Sequence, residues 1–241
     1  MKKKLLILGA SGGVVPRLVP GLEADYDLRL ADITPQPQGL PLVKVDITSY
    51  QEVVEAAADV DAILNFSVIR GDPTQSFHVN VLGAWHVMMA AAELDIGKVI
   101  HTAPQLLRED YEWDFDIDDP PAMAGTGYYT LTKMLSMEVC RVLARAHGID
   151  TVCFLFAGVG DEFSRQQIAQ MRDFPAFHFL AEDLQRACRL ALEIESVPDH
   201  FQEFNMLSYF GQGKYNSDKA RRILGFQPLR RWEDEFERPP P

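Results

Sequence analysis

The chain has 241 residues, 47% of them hydrophobic and 24% charged, with a formal net charge of −12. This is the composition of a globular protein with a buried core and not of a disordered segment. Because an acidic surface is repelled by phosphate backbones and by anionic lipid, neither nucleic acid nor membrane is expected as a partner.

The start of the chain resembles a secretory signal only briefly. Lys2–Lys4 precede the apolar residues up to Leu8, but the apolar run ends at Gly9, which is too short for a signal core. No apolar segment approaches the ~18 residues that a membrane-spanning helix needs. The three cysteines form no Cys-x-x-Cys pair. They indicate buried free thiols and predict a cytoplasmic location.

Strand-like apolar runs alternate with helical stretches over about two thirds of the chain. This alternation predicts an α/β fold with a doubly wound, Rossmann-type parallel sheet. Residues 1–160 are expected to form this core. Residues 161–241 are expected to form a small mixed region that packs on the core and adds one late strand or helix to it. The predicted strands are 4–8, 27–31, 42–45, 62–66, 98–101 and 151–156, and the predicted helices are 14–23, 50–58, 76–94 and 128–147.

The first predicted strand leads into a glycine-rich turn. Gly9 and Gly12 lie three residues apart between a strand and a helix, where small residues let the backbone approach a pyrophosphate at the helix N-terminus. Val15 stands at the usual third glycine position, and Gly13 offers some relief from crowding. Such a turn is either a cofactor site or a plain tight turn.

The second predicted strand ends in Asp32, near the ~20-residue spacing at which an acid meets the adenosine ribose. An ionised carboxylate there accepts from the 2′-OH and repels a 2′-phosphate, which favours NAD over NADP. The alternative is that Asp32 caps the turn that follows.

Tyr129 and Lys133 lie four residues apart on the predicted helix 128–147, so their side chains share one face. The spacing alone leaves two interpretations open. The two residues form a proton-transfer pair, or they are ordinary residues of an amphipathic helix.

The chain resembles the extended short-chain dehydrogenase/reductase family, in its NAD-dependent epimerase/dehydratase branch. The likeness covers nearly the whole chain and is most similar to uronate dehydrogenases and related NAD-dependent sugar oxidoreductases. It rests on the glycine-rich start and on the stretches "VDITSYQEVVEAAADVDAILNFS", "HVNVLGAWHVMMAAAELDIGKVIHT", "FHFLAEDLQRACRLALE" and "KYNSDKARRILGFQPL".

The resemblance implies an NAD site and a catalytic pair. Tyr129 would be the general acid/base, and Lys133 would favour its phenolate and hold the nicotinamide ribose. Tyr128, one residue earlier, is expected to serve packing. The cofactor-binding residues that the resemblance and the glycine turn predict are Gly9, Ser11, Gly12, Gly13, Val14, Asp32, Ile33, Asp46, Ile47, Phe66, Ser67, Asn80, Tyr129 and Lys133.

The chain departs from the family pattern after the fifth predicted strand. Ala103 and Pro104 stand where relatives carry a Ser or Thr that hydrogen-bonds the substrate oxygen. Losing such a donor costs ~10²–10³ in rate, by analogy with oxyanion holes. Thr102, the third predicted catalytic residue, or Gln105 could replace it. Otherwise Thr102 is a plain strand residue, Gln105 is solvated and the catalytic set is broken. Leu155 also replaces an Arg of many relatives, which weakens a uronate assignment.

Seven acids precede the helix that carries Tyr129. They form a solvated loop, or they face the cleft and disfavour an anionic substrate. His101 is predicted to be structural, and no metal site is expected, because His86 and His101 lack partner ligands at a suitable spacing. The seven acids are Glu109, Asp110, Glu112, Asp114, Asp116, Asp118 and Asp119.

The predicted function is an NAD-dependent oxidoreductase or epimerase that acts on a sugar-like alcohol or carbonyl. The alternative is a catalytically impaired NAD-binding sensor or scaffold of the same fold. The predicted helices also carry more apolar surface than one sheet face needs, so a homodimer through a four-helix interface is expected. The residues expected in that surface are Trp85, Met88, Met89, Met134, Met137 and Val142.

Overall fold

The computed structural model describes residues 2–34, 41–105, 107, 116–118, 121–123, 125–210 and 213–237. The strands are β1 Lys3–Leu8, β2 Tyr26–Asp32, β3 Val43–Lys44, β4 Ala62–Asn65, β5 Lys98–Pro104, β6 Asp150–Phe156, β7 Val159–Gly160, β8 Phe179–Leu180, β9 Phe201–Asn205, β10 Tyr209–Phe210 and β11 Arg230–Arg231. The α-helices are α1 Val15–Leu22, α2 Tyr50–Ala57, α3 Pro73–Ser76, α4 Gly83–Glu93, α5 Tyr128–His147, α6 Arg165–Gln170 and α7 Ala181–Glu193. Phe77–Leu82 and Ala220–Leu224 are π-helical, and Pro198–His200 and Trp232–Asp234 are 3₁₀ turns.

Seven of these strands form one parallel sheet in the order β3-β2-β1-β4-β5-β6-β9. Alternate residues of β1 point to opposite faces, as the pleat of a strand requires. Leu5 and Ile7 belong to a core beneath α1 and α7, whereas Leu6 and Leu8 belong to a second core beneath α2, α4 and α5. The predicted doubly wound α/β fold is confirmed.

Helix α5 occupies the residues predicted for it, but two other elements differ from the prediction. Strand β5 continues beyond His101 to Pro104, because it pairs with β6 as far as Phe156. The predicted helix 76–94 is divided into α3, the π-helical segment and α4. Tertiary contacts determine where β5 ends and where the predicted helix is divided, since neither the end of a strand nor a π-helical segment has a sequence periodicity of its own.

The residues after 160 contribute to the main sheet. Strand β9 pairs with β6 at its edge. Helix α7 packs on α1, where Gln185 Nε2 donates to the carbonyl of Arg17 at 2.7 Å. The two short pairs β7–β8 and β10–β11 lie outside the main sheet. The boundary at residue 160 stays a prediction.

The apolar surface of α4 and α5 is only partly exposed. Trp85 and Val142 are 40% and 51% exposed, whereas Met88 and Met137 pack inside the second core. Exposed apolar side chains on neighbouring helices suit an interface with a second copy. The homodimer stays a prediction, which a light-scattering mass of one chain would contradict.

All three cysteines are buried and none is part of a disulfide, as predicted. Of the helices in the described part of the chain, none combines the length and the hydropathy that crossing a bilayer requires.

Candidate active site

A cleft opens at the carboxyl ends of β1 and β4, the neighbouring strands at which the direction of the sheet order reverses. Ligands of doubly wound proteins bind at this switch point. The cleft contains two adjoining cavities, a first of about 220 Å³ and a second of about 340 Å³. Both are lined by Gly9, Gly12, Phe66 and Val68. The two cavities therefore meet over the glycine turn.

The turn requires glycine at position 9. Gly9 has φ +81°, and a Cβ there would lie 2.6 Å from the carbonyl carbon of Phe66 and the amide nitrogen of Ser67. The amides of Gly9 and Ala10 both donate to the carbonyl of Ala31, at 3.0 and 3.1 Å. The missing side chain thus lets β1 approach the chain after β4 closely.

Asp32 lines the first cavity and also holds the turn together. One carboxylate oxygen accepts from the amide of Ser11 at 2.9 Å, and the other accepts from the amide of Thr34 at 3.1 Å. The oxygen that faces Thr34 also accepts from its hydroxyl at 3.3 Å, but the oxygen that faces Ser11 keeps a second acceptor site, so capping and ribose binding are compatible.

Asp46, Ile47, Ile33 and Ser67 line the first cavity as well. Asp46 also caps its own turn, since one of its oxygens accepts from the amide and the hydroxyl of Thr48 at 2.9 and 2.7 Å. Eight predicted residues of the glycine turn and of the adenosine side thus border this one cavity.

Two predicted cofactor-binding residues lie outside both cavities. Ser11 donates from its hydroxyl to the carbonyl of Thr34 at 2.6 Å. The buried Asn80 amide bonds both backbone groups of Ile69, at 2.9 and 3.0 Å, and donates to the hydroxyl of Thr132 at 3.0 Å. Both side chains stabilise the backbone that lines the cleft. A direct contact of either one with the cofactor stays a prediction.

Lys133 and Tyr129 line the second cavity together with Gly13 and Val14. The ammonium nitrogen of Lys133 is buried and has no hydrogen-bond partner among the described residues. Burial lowers its pKa to about 8, against the thiols of Cys153 and Cys140, which raise it, and with a smaller contribution from the nearby Arg70. A buried ammonium without a partner suits a ligand that brings hydroxyl oxygens to it.

Replacing Lys133 with Met is expected to stabilise the cofactor-free protein at pH 7. An ordinary lysine has a pKa of 10.5, so the unfolded chain binds more protons than the folded one between pH 8 and 10.5. The free energy of unfolding of the wild type, relative to that of Lys133→Met, should therefore rise with pH in this range by up to ~3 kcal/mol, because the other titrating groups are common to both proteins. Urea unfolding at several pH values measures it.

Lys98→Met serves as the contrasting variant, because it removes a lysine that has partners. The ammonium of Lys98 lies 3.8 Å from an oxygen of Asp150 and donates to the carbonyl of Ile194 at 2.8 Å, so its loss should destabilise the protein. An unchanged pH dependence in Lys133→Met would show that Lys133 is not the unpaired cation described above.

Tyr129 is half-buried, and its ring lies under the guanidinium of Arg70, whose Cζ is 5.0 Å from the ring centroid. The hydroxyl of Tyr128 donates to the backbone carbonyl of Arg70 at 2.9 Å. Tyr128 thus fastens the loop after β4 to the start of α5, while Tyr129 faces the second cavity.

The residues at the end of β5 differ in their access to the cleft. Thr102, Ala103 and Pro104 all line the second cavity. Gln105 is outside that lining and only 3% exposed, and both polar atoms of its side chain lack partners among the described residues. Gln105 is therefore not solvated, and Thr102 is the nearer candidate for the missing donor.

His101 points away from the cleft toward α5. It is buried, its Nε2 lies 3.0 Å from the hydroxyl of Ser136, and burial beside Lys133 holds its pKa well below the usual value. These contacts suit the structural role that was predicted. Within the described ranges, no group of three His, Cys, Asp or Glu is arranged to hold a metal ion.

The sequence analysis missed two cations, Arg17 and Arg70, that line the second cavity. No spacing marks either of them, because they come from α1 and from the loop after β4. Of the seven acids before α5, only Asp116 and Asp118 are in the described residues, so the question of whether that loop faces the cleft lies outside them.

The fold and the cleft define a doubly wound protein of the dinucleotide-binding class. The buried Lys133 ammonium and the turn that admits only Gly9 fit a dinucleotide. The chain belongs to the NAD dependent epimerase/dehydratase family, whose profile matches residues 5–174. This match confirms the resemblance and the predicted cofactor, NAD.

Individual relatives are distant. Cinnamoyl-CoA reductase 1 of Petunia hybrida is 25% identical over 174 residues, which are 61% of this chain and 51% of that protein. The chain thus spans about half the length of this curated relative.

Solved structures share the fold over almost the whole chain. Glucuronic acid dehydrogenase from Chromohalobacter salexigens is 19% identical with a TM-score of 0.78, over 100% of this chain and 91% of that one. UDP-N-acetylglucosamine 4-epimerase from Bacillus cereus is 15% identical with a TM-score of 0.76, over 97% and 96%. These likenesses show the common architecture alone.

Proposed function

We propose that the chain is an NAD-dependent oxidoreductase or epimerase that acts on an alcohol or carbonyl of a sugar-like molecule. The observation that carries this proposal is that Tyr129 and Lys133 line the second cavity together, beside the glycine turn, and that the Lys133 ammonium has no partner within the described ranges. Membership of the family and sugar enzymes among the structures of the same fold support it.

The residues divide the work of the reaction between them. NAD, when bound, supplies the acceptor for a hydride. Tyr129 removes the proton of the substrate hydroxyl as the hydride leaves, and returns it in the reverse direction. Lys133 donates to the ribose hydroxyls and places a positive charge near the phenolate. Thr102 donates a hydrogen bond to the substrate oxygen.

A screen of polyols, aldoses and uronates, followed by the absorbance of NADH, tests the proposal. An oxidoreductase accumulates NADH, whereas an epimerase converts one sugar into another without net NADH. Ala103 and Pro104, which offer no side-chain donor in the cavity, favour a second candidate, an NAD-binding sensor or scaffold. Calorimetric binding of NAD without turnover of any substrate would favour that candidate.

Asp32→Ala is expected to weaken NAD binding about 10- to 100-fold, the range for a lost hydrogen bond to a charged group. NADP binding should change little, because removal of the carboxylate also removes its repulsion of the 2′-phosphate. Calorimetry with both cofactors measures the difference. Asp32→Asn keeps an acceptor for the turn and serves as the control for loss of the Ser11 contact. Equal losses for both cofactors would contradict the ribose contact.

A further inference from the structure

We propose that Arg70 is a specificity-determining residue that binds a carboxylate group of the substrate. This inference rests on the proposed function, because it names the chemistry that the same cavity selects. It concerns a residue in the loop after β4 that stands beside the proposed acid/base.

The position of Arg70 places its charge next to the reacting groups. The side chain lines the second cavity, and its Cζ is 5.0 Å from the centre of the Tyr129 ring. A substrate whose hydroxyl meets Tyr129 therefore has its neighbouring atoms within reach of the guanidinium.

The backbone that carries Arg70 is held on three sides. Tyr128 donates to the Arg70 carbonyl at 2.9 Å. Asn80 bonds the amide and the carbonyl of Ile69, and the hydroxyl of Ser76 donates to the same carbonyl at 3.1 Å. The loop is thus fixed by the half-buried Tyr128 and by the buried Asn80 and Ser76, while the guanidinium of Arg70 is left for a ligand. Such support is what a recognition residue requires.

The charges around the second cavity favour an anionic substrate. Its lining contains Arg17, Arg70 and Lys133 but no described Asp or Glu, although the whole chain has a net charge of −12. Arg17 is already paired with Asp161 at 3.2 Å and donates to the carbonyl of Gly13 at 2.7 Å. Lys133 is assigned to the cofactor. Arg70 forms no ion pair with any described carboxylate, so its charge is the one left for the substrate.

The charge of a single guanidinium matches a carboxylate better than a phosphate. Its planar donors can bond two oxygens of either group, but its one charge neutralises a carboxylate, whereas a phosphate monoester carries about −1.5 to −2 at pH 7.

Calorimetry on the NADH-loaded protein tests the inference without requiring turnover. The ligands are glucuronate, glucose and glucose 6-phosphate, and the proteins are the wild type, Arg70→Gln, Arg70→Lys and Arg222→Gln. We expect Arg70→Gln to weaken glucuronate binding about 10- to 100-fold, the range for a lost charged hydrogen bond, and to leave glucose unchanged. Arg70→Lys should recover part of the loss. Arg222→Gln makes the same charge change on an exposed residue outside the cleft and should bind like the wild type.

Several results would overturn the inference. Glucuronate that binds the wild type no more tightly than glucose does would exclude carboxylate recognition. Equal losses of glucuronate and glucose in Arg70→Gln would mean that Arg70 only packs on Tyr129. If glucose 6-phosphate binds more tightly than glucuronate and Arg70→Gln abolishes this binding, Arg70 recognises a phosphate and not a carboxylate. If glucuronate binding depends on Arg70 but glucuronate is neither oxidised with NAD nor epimerised, the proposed function fails for this ligand while the recognition role stands.

Discussion

Tyr129→Phe is expected to reduce turnover by ~10²–10⁴ while leaving the affinity for NAD nearly intact. The phenol contributes mainly to proton transfer, and a positioned acid/base is worth a factor of this size. The aromatic ring remains in the variant, so its contact with the Arg70 guanidinium is preserved. The rate of NADH formation under saturating NAD measures the effect, with calorimetry as the measure of cofactor binding.

Tyr128→Phe is the matched control, because it removes a hydroxyl from the adjacent residue. That hydroxyl bonds the Arg70 carbonyl, so its loss should change the substrate KM more than the turnover. If Tyr128→Phe reduces turnover as strongly as Tyr129→Phe, or if both variants are as active as the wild type, Tyr129 is not the acid/base.

Thr102→Val in the same assay identifies the missing donor. A fall in turnover close to that of Tyr129→Phe would assign the substrate hydrogen bond to Thr102. If Thr102→Val is as active as the wild type while Tyr129→Phe is inactive, the substrate oxygen must be bonded by another donor. The candidates are then Gln105, whose amide has no described partner, and a bound water.

Gly9→Ala is expected to have the largest effect on stability and to abolish NAD binding. A Cβ at residue 9 would lie 2.6 Å from backbone atoms of Phe66 and Ser67, and φ +81° is unfavourable for any residue with a side chain. The clash involves backbone on both sides, so β1 and the chain after β4 must separate. A loss of more than ~3 kcal/mol in the free energy of unfolding is expected from strain and lost packing together. Urea unfolding measures it.

Gly97→Ala makes the same substitution where a Cβ would have no neighbour within 4 Å. It should unfold like the wild type and bind NAD normally. Comparable stability of Gly9→Ala and Gly97→Ala would mean that the turn can rearrange and that its close approach is not required.

Local patterns were sufficient for most of the fold. The apolar runs of β1, β2 and β6 lie within a residue or two of their predicted positions, and α5 was predicted at its observed bounds. The end of β5 was not predicted correctly, because hydrogen bonds to β6, rather than apolar character, extend the strand to Pro104. One late strand or helix was expected after residue 160, but its position was not, since the five residues of β9 at the edge of the sheet are defined by their partner.

The candidate site divides in a similar way. The sequence by itself determined the glycine turn, the acid at the end of β2 and the tyrosine–lysine pair, because each is a short motif whose geometry is set within one turn or one strand. Only the tertiary structure decided that Arg70 joins them. Its loop is fixed by Asn80 and Tyr128, which follow Arg70 by 10 and 58 residues in the chain. The hydrogen bonds that fix it are encoded by no local pattern. It also decided that the Lys133 ammonium is buried with no partner among the described residues, because burial depends on how several distant segments pack together.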